Sequence, residues 1–171
     1  FDNDPPSVFK KQIDFIQKSG IVSAMVGLLQ APIGTRLYQR LQNEGRIITQ
    51  SSGNNVDGST NIIPKMEMGA LMGGYREILN EIYSPKLYYE RVITFLKEYQ
   101  PSTFKVRITG EHILALGRSI YHLGLRGVER VHYWKLWWWV VLHKPKLFPQ
   151  AITFAIYGYH FRQISKKTVQ A

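Results

Sequence analysis

Residues 21–35 read IVSAMVGLLQAPIGT, and the fold turns on how the first nine of them are taken. IVSAMVGLL is almost wholly apolar and rich in β-formers. A short run of this kind after a helix marks a strand buried on both faces, as in a parallel sheet covered by helices. The residues before it supply the helix. Asp4 followed by Pro5 and Pro6 has the chemistry of a helix start, Phe9, Ile13 and Ile16 recur at helical spacing, and Gly20 is placed to end the helix in a left-handed conformation. On the other side QAPIGT forms a turn. A helix follows from about Thr35 to Glu44, with Tyr38 and Leu41 on one face and Gly45 as its stop. Helix, strand, loop, helix is a slice of an α/β repeat. In such sheets ligands bind just past the C-terminal ends of the strands, which makes the backbone of residues 30–35 a candidate binding element, with a simple tight turn as the alternative.

Downstream, residues 49–64, TQSSGNNVDGSTNIIP, form a polar loop longer than most connections, and long ordered loops tend to be functional. Asn54, Asn55, Asp57 and Asn61 offer donors and acceptors on one segment; equally, Asn and Asp simply permit turns. From Lys65 the pattern is helical. One helix spans Gly69 to Tyr83, another starts at Ser84-Pro85 and ends before Pro101, and three more are expected at about 110–124, 127–143 and 148–166. The expected organisation is an α/β segment at 1–48, the polar loop at 49–64 and an all-α extension at 65–171, with a further boundary near 101.

Composition sharpens that division. The 171 residues hold 22 Lys+Arg against 12 Asp+Glu; residues 1–100 carry 11 basic and 10 acidic side chains, residues 101–171 carry 11 basic and only Glu111 and Glu129. All five His and all four Trp lie in the basic part. There is no Cys, so this chain alone holds no disulfide, thiolate zinc site or cysteine-ligated cluster. No phosphate loop, nucleophile elbow or His-Glu-x-x-His occurs. His112, His122, His132 and His143 are spaced by 10, 10 and 11, where ligands on one helix need three or four, so no metal site is expected. The stretch from His132 to Phe161 holds 10 of the 22 aromatic residues. Core packing is the first reading, because Trp137, Trp138 and Trp139 cannot share one helix face. The second is an interfacial contact with anionic lipid through aromatics and Lys144, Lys146, Lys166 and Lys167; no apolar run reaches the ~20 residues that span a bilayer. Nucleic-acid binding fits poorly, since the aromatics sit among Leu, Val and Ile rather than on a stacking platform.

The order Pro32-Ile33-Gly34-Thr35, Leu37-Tyr38, Glu44-Gly45 after a buried strand resembles the late part of the radical S-adenosylmethionine (SAM) barrel in the cobalamin-binding branch of that superfamily. The segments SSGNNVDGSTNIIPKM, IYSPKLYYERVITFLKEY and LFPQAITFAIYGYHFR are similar to its C-terminal helical extension, a DUF4070-like domain of unknown function found in hopanoid and bacteriochlorophyll methyltransferase-like enzymes. The resemblance implies an edge of a partial (β/α) barrel followed by a helical extension. It implies a parent enzyme of the methyltransferase class, in which a [4Fe–4S] cluster cleaves SAM and cobalamin carries the methyl group. The cluster cysteines would then lie upstream of Phe1, in a longer cytoplasmic protein of which FDNDPP is an entered loop, and this chain alone would be inactive. Gly27, Leu28, Leu29, Gln30, Pro32, Gly34 and Thr35 are implied on the SAM side, and Asn54, Asn55, Asp57 and Asn61 as a wall of the pocket for a small or lipid-like substrate; catalytic residues are not assigned. Expected partners are the upstream barrel and cobalamin domain of the same polypeptide and, in the alternative reading, a protein partner or the inner membrane docked by the basic aromatic helices.

Overall fold

The computed structural model describes residues 3–54, 57–100 and 110–170. Its elements in chain order are α1 (Val8–Ser19), α2 (Arg36–Asn43), α3 (Met68–Ile82), α4 (Pro85–Glu98), α5 (Gly110–Ser119), a π-helical stretch (Ile120–Arg126), α6 (Arg130–His143), a 3-10 turn (Pro145–Leu147) and α7 (Phe148–Gln170). No β-ladder forms among the described residues; Ile47 and Ile62 make one isolated antiparallel bridge. The helical extension is therefore present and the sheet of a partial barrel is not shown.

The segment expected as a strand buried on both faces bends at residues 22–23, runs on from 24 without helix or turn, and buries one face. Val22, Ala24, Val26, Leu28 and Gln30 turn inward, whereas Ile21, Ser23, Met25 and Gly27 are exposed, Met25 by 77%. That alternation is the period of two of a strand with a single covered face. The cover comes from helices: α1 packs on α3, and Val22 and Leu28 join the main core with Tyr75, Ile78 and Ile82. The predicted start at Asp4 is also displaced. Val8 N–H donates to the Pro5 carbonyl at 2.9 Å, so the prolines form a turn leading in, and Ser7 stands at the N-cap.

Other boundaries fall where their chemistry puts them. Thr35 caps α2 by accepting from Tyr38 N–H, Glu67 accepts from Gly69 and Ala70 N–H at the start of α3, and Pro85 opens α4. Gly20 and Gly45 leave α1 and α2 with φ of 69° and 67°. The expected linker at 101–109 lies outside the described residues.

Two buried charges organise the interior. Arg91 on α4 is completely buried, donating to the carbonyls of Val22 (3.2 Å) and Ile82 (2.8 Å) and to Gln17 Oε1 (3.1 Å). Burial pulls its pKa down. Glu129, before α6, meets both its oxygens with Arg162 of α7. Around these, α4 packs on α6 and α7 through Tyr88, Tyr89, Val92 and Leu96 against Tyr133, Leu136, Val140, Ala151 and Ala155. Tyr83 stacks on Phe161 at 5.5 Å, and the Tyr88 hydroxyl donates to the Phe154 carbonyl at 2.8 Å.

Gly158 makes the α4–α7 contact tight: a Cβ there would lie 2.2 Å from the ring of Tyr88, whose hydroxyl is already tied to α7. Gly73, on the outside of α3, has no such neighbour. We expect Gly158→Ala to destabilise by about 1–3 kcal/mol through overpacking, and Gly73→Ala to be neutral or to stabilise by up to ~1 kcal/mol through helix propensity. Urea unfolding of the two variants measures the opposite signs.

Candidate functional site

The extended segment ends at a turn, and the polar loop folds back onto that end. Two side chains do the joining. Asn61, 2% exposed, accepts from the N–H of Ala31 at 2.8 Å and donates from Nδ2 to the Ala31 carbonyl at 2.9 Å and the Thr49 carbonyl at 3.3 Å. Thr60 Oγ1 donates to the Leu29 carbonyl at 2.7 Å. In an extended chain, residues two apart direct their backbone groups to the same edge. Asn61 and Thr60 thus supply Leu29 and Ala31 with what a neighbouring strand would.

Gln30, between them, points its side chain into the loop. Its Nε2 lies within 3.2–3.4 Å of Ser52 Oγ, the Asn54 carbonyl, and both the carbonyl and Oγ of Ser59, while Oε1 accepts from Ser51. Asp57 completes the loop, accepting from Ser52 Oγ (2.8 Å), Ser59 N–H (2.8 Å) and Ser59 Oγ (2.7 Å). These bonds, those of the Ser59 hydroxyl foremost, hold its carboxyl below the usual value of 3.8. A small second core seals the far side: Ala31, Leu41 and Ile62, with Leu29, Leu37, Tyr38 and Ile47 around them.

The structure therefore brings Leu29, Gln30, Asn54, Asp57 and Asn61 into one assembly, with Gln30 and Asn61 engaged in holding it. Pro32, Gly34 and Thr35 sit on an exposed turn; Gly34 has φ 85°, and Thr35 Oγ1 donates to the Pro32 carbonyl while capping α2. Gly27 and Leu28 border a small cavity of about 100 Å³ with Thr60 and Tyr75. Asn55 lies outside the described residues. Among the described residues no group of three or more His, Asp or Glu could hold a metal ion.

A larger concavity lies elsewhere. About 690 Å³ opens between α5, the π-helical stretch and α7, walled by Leu114, Ala115, Leu123 and Ile156, with Arg118 and His122 in its polar lining. The π-helical stretch is a feature that periodicity does not reveal; single π turns often accompany functional sites. Gly124 and Gly127 are its one trace in the sequence. The Gly124 carbonyl accepts from Trp134 Nε1 at 3.0 Å, and a Cβ on Gly124 would crowd the rings of Tyr133 and Trp134 at 3.2 Å.

Two outcomes follow from this geometry. Asn61→Leu strands a buried N–H and a buried carbonyl of Ala31 and should cost about 2–6 kcal/mol in urea unfolding, at 1–3 kcal/mol for each orphaned group. For Asp57 the folded pKa lies below the unfolded one, so its contribution is present above the ordinary value and is lost as pH falls through the depressed value. NMR titration of the Asp57 carboxyl should give a midpoint under 3.8, with the Ser59 amide shift following it; a midpoint at or above 3.8 contradicts the bonding described.

Sequence comparison adds the family. A domain of unknown function, DUF4070, matches residues 35–171, well over half of the chain. An uncharacterized methyltransferase of Synechocystis sp. is 28% identical over 168 residues, covering 95% of this chain and 31% of its own length. A hopanoid C-2 methylase of Rhodopseudomonas palustris is 29% identical over 144 residues, covering 78% of this chain and 26% of its own length. The chain thus spans at most about a third of the curated relatives it matches, and no solved structure matches it. By the extent of that match the chain belongs to the DUF4070 family, as the C-terminal region found in methyltransferases of this kind.

Proposed function

We propose that these residues form the closing edge of the barrel and a helical cap in a cobalamin-dependent radical SAM methyltransferase. One observation carries the reading. Residues 24–31 run without helix, turn or bend and have one face covered; Thr60 and Asn61 occupy one backbone edge at their C-terminal end, and no backbone–backbone hydrogen bond among the described residues reaches 23–30. Such an edge suits the last strands of a barrel whose other strands belong to the rest of a longer polypeptide. The names of the matched relatives, a methyltransferase and a methylase, support the reaction class, and the hopanoid in one name supports a lipid-like substrate.

The implied cofactors are tested by the donors at hand. With no Cys, and no metal-holding group among the described residues, this chain does not fit an iron–sulfur cluster. The cavity beside Gly27 and Leu28 is far below the ~300 Å³ at which ligand pockets begin, so the chain offers SAM a wall rather than an enclosed site. Nothing in its polar groups addresses cobalamin. The role proposed for its residues is accordingly positional: Gln30, Thr60 and Asn61 fix the end of the segment, and the turn at Pro32–Thr35 and the loop at Asn54–Asp57 border whatever the rest of the barrel binds.

The full-length protein decides. Anaerobically reconstituted with iron and sulfide and supplied with a reductant, it is expected to cleave SAM to 5′-deoxyadenosine. A cluster-loaded protein that leaves SAM intact, or a complete sequence lacking three clustered cysteines, overturns the proposal.

A further inference from the structure

Helix α6 is apolar on two opposite sides. Tyr133, Leu136 and Val140 enter the core, and the face turned away carries Val131, Lys135, Trp138 and Leu142 at spacings of four, three and four. Those four residues form one stripe on a helix. Its apolar members are well exposed, Trp138 by 58% and Leu142 by 73%, and the chain just before α6 adds Leu125 and Val128, the latter 76% exposed. Single exposed apolar residues need no explanation, but a row of them along a helix does.

The charges around this stripe are of one sign. Residues 110–167 hold nine Lys and Arg against two acids. Glu129 is buried against Arg162, which leaves Glu111 as the one acid on the surface of that region. Arg130, Lys135 and Lys146 are exposed on or beside α6, and Arg126 lies over the ring of Tyr121 at 4.7 Å. Trp138 is also held in place: it meets Trp137 edge-on at 5.7 Å, and Trp137 in turn meets Phe148 edge-on at 4.9 Å. A ring already fixed loses little freedom when its exposed side is covered. No helix among the described residues is long and apolar enough to cross a membrane.

From these observations we propose that the outer stripe of α6 is a docking surface for an anionic lipid bilayer, with Val131, Trp138 and Leu142 entering the headgroup boundary and Arg130, Lys135 and Lys146 meeting lipid phosphates. Tryptophan with flanking Lys and Arg is the composition of an interfacial helix. The scarcity of surface acid in residues 110–167 disfavours a basic protein partner and limits repulsion of anionic headgroups. The inference stands apart from the methyl-transfer reading, because it concerns where the protein sits and not what it catalyses.

Flotation of the full-length protein with vesicles of phosphatidylcholine, with and without phosphatidylglycerol, tests it. The protein is expected to float with the anionic vesicles at low salt and to be released as salt screens the headgroups. The double variant Val131→Glu/Leu142→Glu should lower vesicle affinity at least about tenfold, as expected for withdrawing two apolar side chains from lipid. Lys135→Glu, which leaves the apolar stripe intact, should weaken binding at low salt only. Failure of the unaltered protein to float overturns the proposal, as does a double variant that floats equally well. A double variant that splits a dimer, or melts earlier with flotation unchanged, assigns the stripe to a second copy or to the rest of the polypeptide and overturns it too. Flotation reads no chemistry, so its failure leaves the proposed reaction untouched.

Discussion

A guanidinium with no carboxylate to balance it sits at the junction of four segments. Arg91 binds the carbonyl that begins the extended segment, the carbonyl of Ile82 at the end of α3, and the amide oxygen of Gln17, whose own Nε2 donates to the Leu87 carbonyl on α4. The last turn of a helix carries partial negative charge, so the end of α3 is a favourable place for a cation. Solvating a buried charge with carbonyl dipoles is demanding: each dipole must be aimed, and aiming them fixes α1, α3 and α4 relative to residue 22. The candidate site inherits that placement, because the segment leaving Val22 arrives at Gln30 and Ala31 eight residues later.

The C-terminal helices solve a similar problem with a closed pair. Glu129 and Arg162 neutralise each other out of water, and the Ser119 and Tyr133 hydroxyls meet nearby at 3.0 Å. Around them aliphatic side chains such as Leu136, Val140 and Ala155 pack with aromatic rings. The consequence is that one of the two acids of residues 110–167 is withdrawn from the surface, leaving Glu111 exposed among the bases.

Much of this was readable from local chemistry. Thr35, Gly45, Glu67 and Pro85 end or begin helices by satisfying or sparing backbone groups near them, and such signals need no knowledge of the rest of the chain. The association of Gln30 with the polar loop was not readable, since it joins residues some 20 to 30 apart. What escaped depended on partners. An apolar run such as IVSAMVGLL reads the same whether one face or two are covered, and Met25 looks like core until its neighbours are known. Arg91 lies in YYERVITF where a surface arginine would be expected; only the three carbonyl-type oxygens around it show otherwise. The π-helical stretch keeps an apolar content that suits an α-helix, and the hydrogen-bond shift that defines it leaves no periodic mark.

The pairing of Asn61 with Ala31 has a consequence for how this region can diversify. A true strand neighbour would tie residues 29–31 to a ladder, so that any change of length nearby would slip the register of a whole sheet edge. Here one amide and one hydroxyl, on adjacent residues, meet that edge, and Gln30 holds both Ser52 and Ser59. A change of length between the two serines meets these anchors and not a ladder. Sequence can vary there without disturbing the frame formed by Leu29, Gln30 and Ala31.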